Sequence, residues 1–345
     1  MFLMLLTIFI IICTAVLSLI VTPIAIRLGI MDNPDFRKIH NRPIPKAGGI
    51  GIFIPVVVFE MAALISYEIF RTQVVQIMFV TIFLMITGII DDRFDLSSKL
   101  KLAIHSLASL ITVLMGIRFN ISGLPIPDII VTVIWISAII NAVNLIDGLD
   151  GLAAGITTIS CAGFCTIGLI YNSSIIVFLS AAIVGSCLGF LKYNFRPAKI
   201  FMGDTGSIPL GYNLAVIGIL CQNLIVNVTS STKPMTVISG STVLIIPAII
   251  LGVPIYDMTL SIFRRVVNRK PIFKPDRSHF YNLMMELKGL SHKKTVLAIY
   301  LVSFFLSCIS ILLVFLNSVL RVAVICVLTI AAAFLSYLLN FIRVD

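Results

Sequence analysis

The chain has 345 residues, of which 59% are hydrophobic and only 12% are Asp, Glu, Lys or Arg. Ordinary soluble domains contain about 25% charged residues, so this composition excludes an ordinary soluble protein. Lys and Arg outnumber Asp and Glu by 25 to 15, but the chain has no soluble basic module, which excludes nucleic acid as a partner.

Continuous apolar runs long enough to cross a bilayer recur along the whole chain. They predict an all-α, polytopic membrane protein with about eleven transmembrane helices, built as a single transmembrane catalytic domain over residues 1–345. The predicted spans, in chain order, are 2–22, 50–67, 74–90, 102–117, 129–146, 152–170, 175–191, 206–221, 237–256, 295–315 and 319–340.

The basic residues predict the orientation of these spans. Of the 25 Lys and Arg, 21 lie after spans 1, 3, 5, 7 and 9 or at the C-terminus, and the other four are Arg71, Arg118, Lys233 and Arg321. The positive-inside rule places the basic side in the cytoplasm. We therefore expect a multi-pass protein of the cell inner (cytoplasmic) membrane, with the N-terminus outside and the C-terminus cytoplasmic. The predicted cytoplasmic active-site loops are 23–49, 91–101, 147–151, 192–205 and 264–294.

The first of these loops is rich in bases, prolines and glycines. Arg37, Lys38 and His40 suit a phosphate or an anionic lipid, and they are predicted substrate-binding residues. A plain positive-inside anchor would explain the charges, but it would not require the prolines or the pair Gly48-Gly49.

Asp91-Asp92 follows the third apolar run directly. Adjacent carboxylates repel each other, and a cation or a basic partner relieves the repulsion. Lys99 and Lys101 follow within a few helical turns, so all four are candidate catalytic residues. The alternative is a solvated helix end with ordinary interface charges.

Two further polar patches suggest a divalent cation and a phosphate. In the first, Asn141, Asn144 and Asp147 recur every three residues before Gly148 and Asp150. Their oxygens are hard ligands of the kind that Mg²⁺ prefers, although a polar helix end with Asx turns is the alternative.

The second patch, FMGDTGS, places Asp204 between two glycines. Such a turn can direct backbone N–H groups at a phosphate, with a helix N-terminus behind it. Phe201 is a candidate for stacking on a base, and a packing role is its alternative.

The last long loop contains Arg277 and His279. Arg277 is a candidate for holding a phosphate or a sugar. His279 is a candidate for binding phosphate or transferring a proton, and a structural role is equally compatible with a single His.

Taken together and in this order, these five stretches resemble the polyprenyl-phosphate N-acetylhexosamine-1-phosphate transferases, also called glycosyltransferase family 4. The motifs NxxNxxDGxDGLA and FMGDTGS carry most of the resemblance. It implies transfer of a sugar-1-phosphate from UDP-GlcNAc to undecaprenyl phosphate, with UMP as the second product and Mg²⁺, or Mn²⁺ in its place, as cofactor. Such a product initiates a cell-envelope glycan such as teichoic acid, lipopolysaccharide or another cell-wall polymer.

The resemblance also implies roles for individual residues. Asp204 and Asn144 are implied to lie at the metal, and Asp91 and Asp92 at the acceptor phosphate, one of them as a base. Asn194 and Phe201 are implied to contact the uridine, and Arg277 and His279 the diphosphate and sugar. Asp147 is a predicted catalytic residue, and Asp150 is a predicted substrate-binding residue.

The sequence departs from the family in its last loop, where His279-Phe280-Tyr281-Asn282 stands in place of an HxHH signature. The PDRSH context resembles the GlcNAc-1-phosphate branch more than the phospho-N-acetylmuramoyl-pentapeptide branch. That second branch, or a transferase for another UDP-HexNAc, is the alternative.

Two remote alternatives come from single features. The spacing DDxxD from Asp91 to Asp95 also occurs in intramembrane prenyltransferases, and Pro247 and Pro254 suggest a broken span, as in secondary transporters. GxxxG at Gly185–Gly189 permits close helix packing and would suit a homodimer.

Overall fold

The computed structural model describes residues 2–27, 31–32, 43–66, 71–232, 240–270, 279–316 and 318–338. This part of the chain forms thirteen helices and one short antiparallel ribbon. The elements are α1 (Phe2–Arg27), β1 (Met31–Asp32), β2 (Ile44–Pro45), α2 (Gly48–Ser66), α3 (Arg71–Phe94), α4 (Ser98–Leu114), α5 (Pro125–Ile146), α6 (Leu152–Ile170), α7 (Ser174–Asn194), α8 (Asp204–Thr232), α9 (Gly240–Ile250), α10 (Gly252–Val267), α11 (Phe280–Lys288), α12 (His292–Leu313) and α13 (Ser318–Leu338).

The prediction of a polytopic α-helical membrane protein is confirmed. Eight helices in the described part are long and apolar enough to cross a membrane, and a ninth span results if the bent pair α9–α10 counts as one. Each of the eleven predicted spans overlaps a helix, but α4 has only 17 residues and the apolar part of α2 is also short. The number eleven and the orientation of the termini therefore stay predictions.

The predicted break in the ninth span is present. Helix α9 ends at Ile250, α10 begins at Gly252, and their axes meet at 86°. Pro254 explains the position of the break, because it has no N–H to donate to the carbonyl of Ile250 four residues earlier. The pair α9–α10 therefore does not form one straight span.

The GxxxG motif packs inside the chain. A Cβ on Gly185 would collide with Thr14 of α1, and a Cβ on Gly189 would collide with the carbonyl of Ala15. Small residues at such a seam let two helix backbones approach closely. The two glycines are thus covered by α1 of the same chain, and this motif is not available for a homodimer.

The ribbon β1–β2, which the sequence did not predict, pairs Met31 with Pro45 and Asp32 with Ile44. Its second strand continues into contacts with the segment before α8: the Phe201 N–H donates to the Pro45 carbonyl at 2.7 Å, and the Gly48 N–H donates to the Phe201 carbonyl at 3.0 Å. The end of the first loop is thereby fixed beside the start of α8.

Candidate active site

The site is centred on Lys101, which lies between two carboxylates from distant parts of the sequence. Its ammonium group forms ion pairs with Asp91 and, at 2.6 Å, with Asp204. Asn144 donates its amide to the other oxygen of Asp204 at 2.7 Å and to the Ser207 hydroxyl at 2.9 Å. The ends of α3 and α5 therefore meet the starts of α4 and α8 at one point.

The turn between α3 and α4 positions Asp91 and Lys101. Asp91 accepts a hydrogen bond from the Leu96 N–H at 2.7 Å, which closes the turn. Ser97 then caps α4 by accepting from the Leu100 N–H at 3.4 Å. Lys101 lies in the first turn of this helix and reaches back to Asp91, so the local DDRFDLSSK sequence builds this half of the site.

Lys99 lies in the same turn but does not reach the cluster. Its side chain is exposed, and no ion pair joins it to another described residue. Residues two apart on a helix do not share a face, which explains the difference. Both lysines were predicted as catalytic candidates, but in the structure only Lys101 contacts the carboxylates of the site.

Asp92 caps the start of α8 from a neighbouring helix. Its two oxygens accept from the N–H groups of Asp204 at 3.0 Å and Thr205 at 2.9 Å, and from the Thr205 hydroxyl at 2.6 Å. A carboxylate at a helix N-terminus also interacts favourably with the helix dipole. Lys46, which the sequence did not single out, is 3.7 Å from the same carboxylate.

This capping corrects one expectation about the FMGDTGS turn. The N–H groups of Asp204 and Thr205 are taken by Asp92, and those of Gly206 and Ser207 donate to the Gly203 carbonyl at 3.0 Å. The predicted phosphate cradle of backbone N–H groups is therefore wrong, because those groups already have partners within the chain.

Two glycines allow the helices to approach this turn. A Cβ on Gly49 would collide with the backbone of Thr205, and a Cβ on Gly88 would lie 2.5 Å from the Asp204 carbonyl oxygen. Neighbouring backbone cannot move aside as a flexible side chain can. The Gly48-Gly49 pair, which begins α2, thus has a packing reason.

Asp147 is the least compensated carboxyl at the site. It follows α5 as its C-terminal cap, and no described residue hydrogen-bonds to or forms an ion pair with its side chain. Burial, followed by the negative charges of Asp204, Asp92 and Asp150, raises the pKa of Asp147 well above its ordinary range. A raised pKa favours the protonated carboxyl, and strongly perturbed pKa values are a common feature of groups that act as a general acid or base.

Asn194 and Asp150 hold neighbouring loops together. The Asn194 amide accepts from the Gly151 N–H at 3.0 Å and donates to the Ile200 carbonyl at 2.9 Å. Asp150 accepts from the Ala198 N–H at 3.2 Å. The implied contact of Asn194 with uridine stays a prediction, although both ends of its amide already have partners inside the chain.

The remaining predicted residues are placed as follows. Phe201 is half-buried beside Pro45 and Gly48. His279, at the start of α11, is hydrogen-bonded to Asp257 of α10, a residue that the sequence reading did not single out. The roles of Arg37, Lys38, His40 and Arg277 stay predictions, because these four lie outside the described residues.

The carboxylates fit a divalent cation that completes its coordination with substrate. Among the described residues, no three His, Cys, Asp or Glu side chains form a metal site by themselves. Mg²⁺, however, commonly uses one or two carboxylates together with waters and substrate phosphates. Asp91 and Asp204 already share one cationic group, that of Lys101, so their oxygens converge. Asn144 presents its amide nitrogen to Asp204, so it would be a ligand only after turning its oxygen to the ion.

The fold and site thus define a polytopic membrane protein with a carboxylate-lined site at one end of its helix bundle. The model of the family described as glycosyl transferase family 4 matches residues 74–222. These residues include Asp91, Lys101, Asn144 and Asp204.

Individual relatives extend the similarity over most of the chain. The chain is 41% identical over 311 residues to the probable undecaprenyl-phosphate N-acetylglucosaminyl 1-phosphate transferase of Bacillus subtilis, covering 86% of this chain and 81% of that protein. It is 31% identical to the decaprenyl-phosphate N-acetylglucosaminephosphotransferase of Mycobacterium tuberculosis, covering 81% and 74%. It is 28% identical to the undecaprenyl-phosphate alpha-N-acetylglucosaminyl 1-phosphate transferase of Escherichia coli, covering 84% and 78%. The chain belongs to glycosyl transferase family 4, as its motifs predicted.

Proposed function

We propose that this protein transfers N-acetylglucosamine-1-phosphate from UDP-GlcNAc to undecaprenyl phosphate, forming undecaprenyl-diphospho-GlcNAc and UMP. The observation that carries the proposal is the 41% identity to the Bacillus subtilis protein, whose name states the sugar phosphate and the lipid. The convergence of Asp91, Asp204 and Lys101 supports it, because two anionic phosphates must approach each other in such a reaction.

In the proposed step, an oxygen of the lipid phosphate attacks the β-phosphorus of the donor. A new P–O bond forms, the bond from that phosphorus to the bridging oxygen breaks, and UMP leaves with the electron pair. Asp91 and Asp204 would hold Mg²⁺, which when bound screens the charge on the diphosphate. Lys101 would stabilise the negative charge that develops beside them. A covalent aspartyl intermediate is the alternative route.

The other site residues have proposed roles of their own. Asp147 would accept or hold a proton, since it has a raised pKa and no partner among the described side chains. Asp92 would act through the start of α8, because its oxygens bind the N–H groups of Asp204 and Thr205. Phe201 would contact the uridine. The product would start a cell-envelope glycan.

The proposal is tested with purified protein, undecaprenyl phosphate, Mg²⁺ and a panel of UDP-sugars, with the lipid product identified by mass spectrometry. We expect UMP and a diphospho-GlcNAc lipid from UDP-GlcNAc, and loss of both products with EDTA. A product only from UDP-N-acetylmuramoyl-pentapeptide would establish the alternative branch. UMP release that EDTA does not reduce would overturn the proposed cofactor.

We also propose that the site faces the cytoplasm. Asp128 and Asn120 lie at the opposite end of the bundle from Asp147, since α5 runs between the two ends. Single cysteines at Lys99 and at Asn120, in a cysteine-free background, should differ in labelling by an impermeant maleimide added to intact cells. We expect labelling at position 120 only, and the reverse pattern would overturn the orientation.

A further inference from the structure

Asp257 connects α10 to the start of α11 through both of its carboxylate oxygens. One oxygen is 2.8 Å from His279 Nδ1, and the other accepts from the Phe280 N–H at 2.9 Å. Asp257 is fully buried, and the His279 side chain is only 7% exposed. Ser261, one turn further along α10, has its hydroxyl 3.4 Å from the same ring nitrogen. The imidazole is therefore fixed from one side.

Tyr281 fixes the ring from its face. The two rings are nearly parallel, with an interplanar angle of 5° and centroids 5.4 Å apart. The buried Tyr281 side chain then extends to the turn after α5, where a Cβ on Gly148 would collide with its hydroxyl. Gly148 directly follows Asp147. His279 is thus separated from the turn that carries Asp147 by a single stacked aromatic ring.

We propose that Asp257 is a positioning residue that fixes the tautomer and orientation of His279 for the transfer reaction. An ionised carboxylate only accepts hydrogen bonds, so Nδ1 carries the proton that faces Asp257. The other ring nitrogen, Nε2, is then the atom that can accept a proton or, on the imidazolium, donate to a phosphate. This inference rests on the proposed function, since it assigns how His279 is prepared for that reaction.

A purely structural role would use Asp257 differently. The hydrogen bond from the Phe280 N–H alone would cap the first turn of α11, and it would require nothing of His279. The two roles are separable because asparagine can keep the acceptor for Phe280 while removing the charge that selects the Nδ1–H tautomer. Asp128 offers a matched control: it is also a buried aspartate, accepts from the N–H and hydroxyl of Ser122, and lies at the other end of the bundle.

The kinetic test compares Asp257→Asn with Asp128→Asn. We expect kcat of Asp257→Asn to fall on the order of 10²-fold, the scale of general acid–base catalysis, with KM for UDP-GlcNAc within about 3-fold of the parent value. Asp128→Asn should leave kcat unchanged. In a His279→Gln background, Asp257→Asn should cause no further loss, because its partner is already absent. Full kcat in Asp257→Asn, or losses that multiply in the double variant, would overturn the proposal.

A second measurement does not depend on activity. In protein with ¹⁵N-labelled histidine, the His279 signals are assigned by their loss in His279→Gln. We expect the Nδ1–H tautomer in the parent protein and a shift toward Nε2–H in Asp257→Asn. An unchanged tautomer would overturn the positioning role even if UMP is released. If the parent protein releases no UMP from any UDP-HexNAc, the proposed function fails, while the tautomer still tests the Asp257–His279 pair.

Discussion

Two acidic regions of this molecule differ in the partners of their carboxyl groups. At the end of the bundle, Asp91, Asp92 and Asp204 are bound by Lys101 and by the backbone at the start of α8. Within α2, Glu60 is fully buried, and neither of its oxygens has a hydrogen-bond partner among the described residues. An unpartnered carboxyl in an apolar environment is expensive to ionise. The comparison indicates that burial alone does not make an acid part of the site.

The strongest test of the compensated cluster is Asp204→Asn. Asparagine keeps the shape but removes the charge that faces Lys101, so both the proposed Mg²⁺ binding and the balance of charge are lost. We expect UMP release to fall by about 10³-fold or more. The release of UMP is measured by a coupled assay, alongside the melting temperature, which should change little. Activity within tenfold of the parent value would contradict a central role for Asp204.

The second largest loss of activity is expected when the positive charge of Lys101 is removed. Lys101→Met keeps the apolar stem but leaves Asp91 and Asp204 facing each other without a cation between them. We expect a loss of about 10²-fold in kcat, the size of a single electrostatic contact to the developing charge.

Lys99→Met is the matched control for Lys101→Met, since Lys99 lies in the same turn and is exposed. It should retain activity within about 2-fold. Equal losses of kcat in the two variants would show that activity depends on the total positive charge of this segment and not on the ion pairs of Lys101.

Asp92→Asn tests the role of the cap at α8. The amide can keep one acceptor but loses the charge that binds the N–H groups of Asp204 and Thr205. We expect a loss of about 1 kcal/mol in stability, as for other helix caps, together with a roughly tenfold loss in kcat/KM for undecaprenyl phosphate. Urea titration in detergent measures the first quantity and steady-state kinetics the second. An unchanged stability with a large loss of activity would place Asp92 in direct contact with substrate instead.

The smallest effect is expected for substitutions of Glu60, the buried carboxyl in α2. Glu60→Gln removes only an ionisable group that has no described hydrogen-bond partner, so activity should stay within about 2-fold. Glu60→Leu should raise the melting temperature, because it removes buried polar atoms that have no hydrogen-bond partner among the described residues. A large loss of activity in Glu60→Gln would show that Glu60 also takes part in the reaction, contrary to the comparison with Asp91, Asp92 and Asp204.

Sequence periodicity predicted the helices better than it predicted the contacts between them. Apolar runs predicted the spans, and Pro247 and Pro254 predicted that the ninth span is broken, because both are local properties of the chain. The structure gives the position of the break, after Ile250. Lys101 and Asp204 are about one hundred positions apart in the chain, and they form an ion pair. Composition and local spacing cannot predict a contact at that separation, so only the family resemblance placed the two residues in one site. The capping of α8 by Asp92 is likewise a contact between helices, and it overturned the expected phosphate cradle.

Asp257 was missed for a different reason. It lies just after a predicted span, alone and without Gly or Asn neighbours, whereas the other acids stood out because they were grouped. An ionisable residue inside an apolar segment or directly at its edge is by itself a reason to look for a partner. Applied to every acid, that rule would have marked both Asp257 and Glu60. Only the structure shows that Asp257 binds His279, whereas Glu60 has no hydrogen-bond partner in the described part of the chain.

The seam between α1 and α7 also bears on how the chain assembles in the membrane. The face of α1 that carries Thr14 and Ser18 is covered by Gly185 and Gly189, which are synthesised about 170 residues later. At roughly 5–20 residues per second, α1 waits on the order of ten to thirty seconds for its partner. During that interval Thr14 and Ser18 lack the helix that covers them in the folded chain. The packing of α1 against α7 therefore joins helices that the ribosome delivers far apart in time.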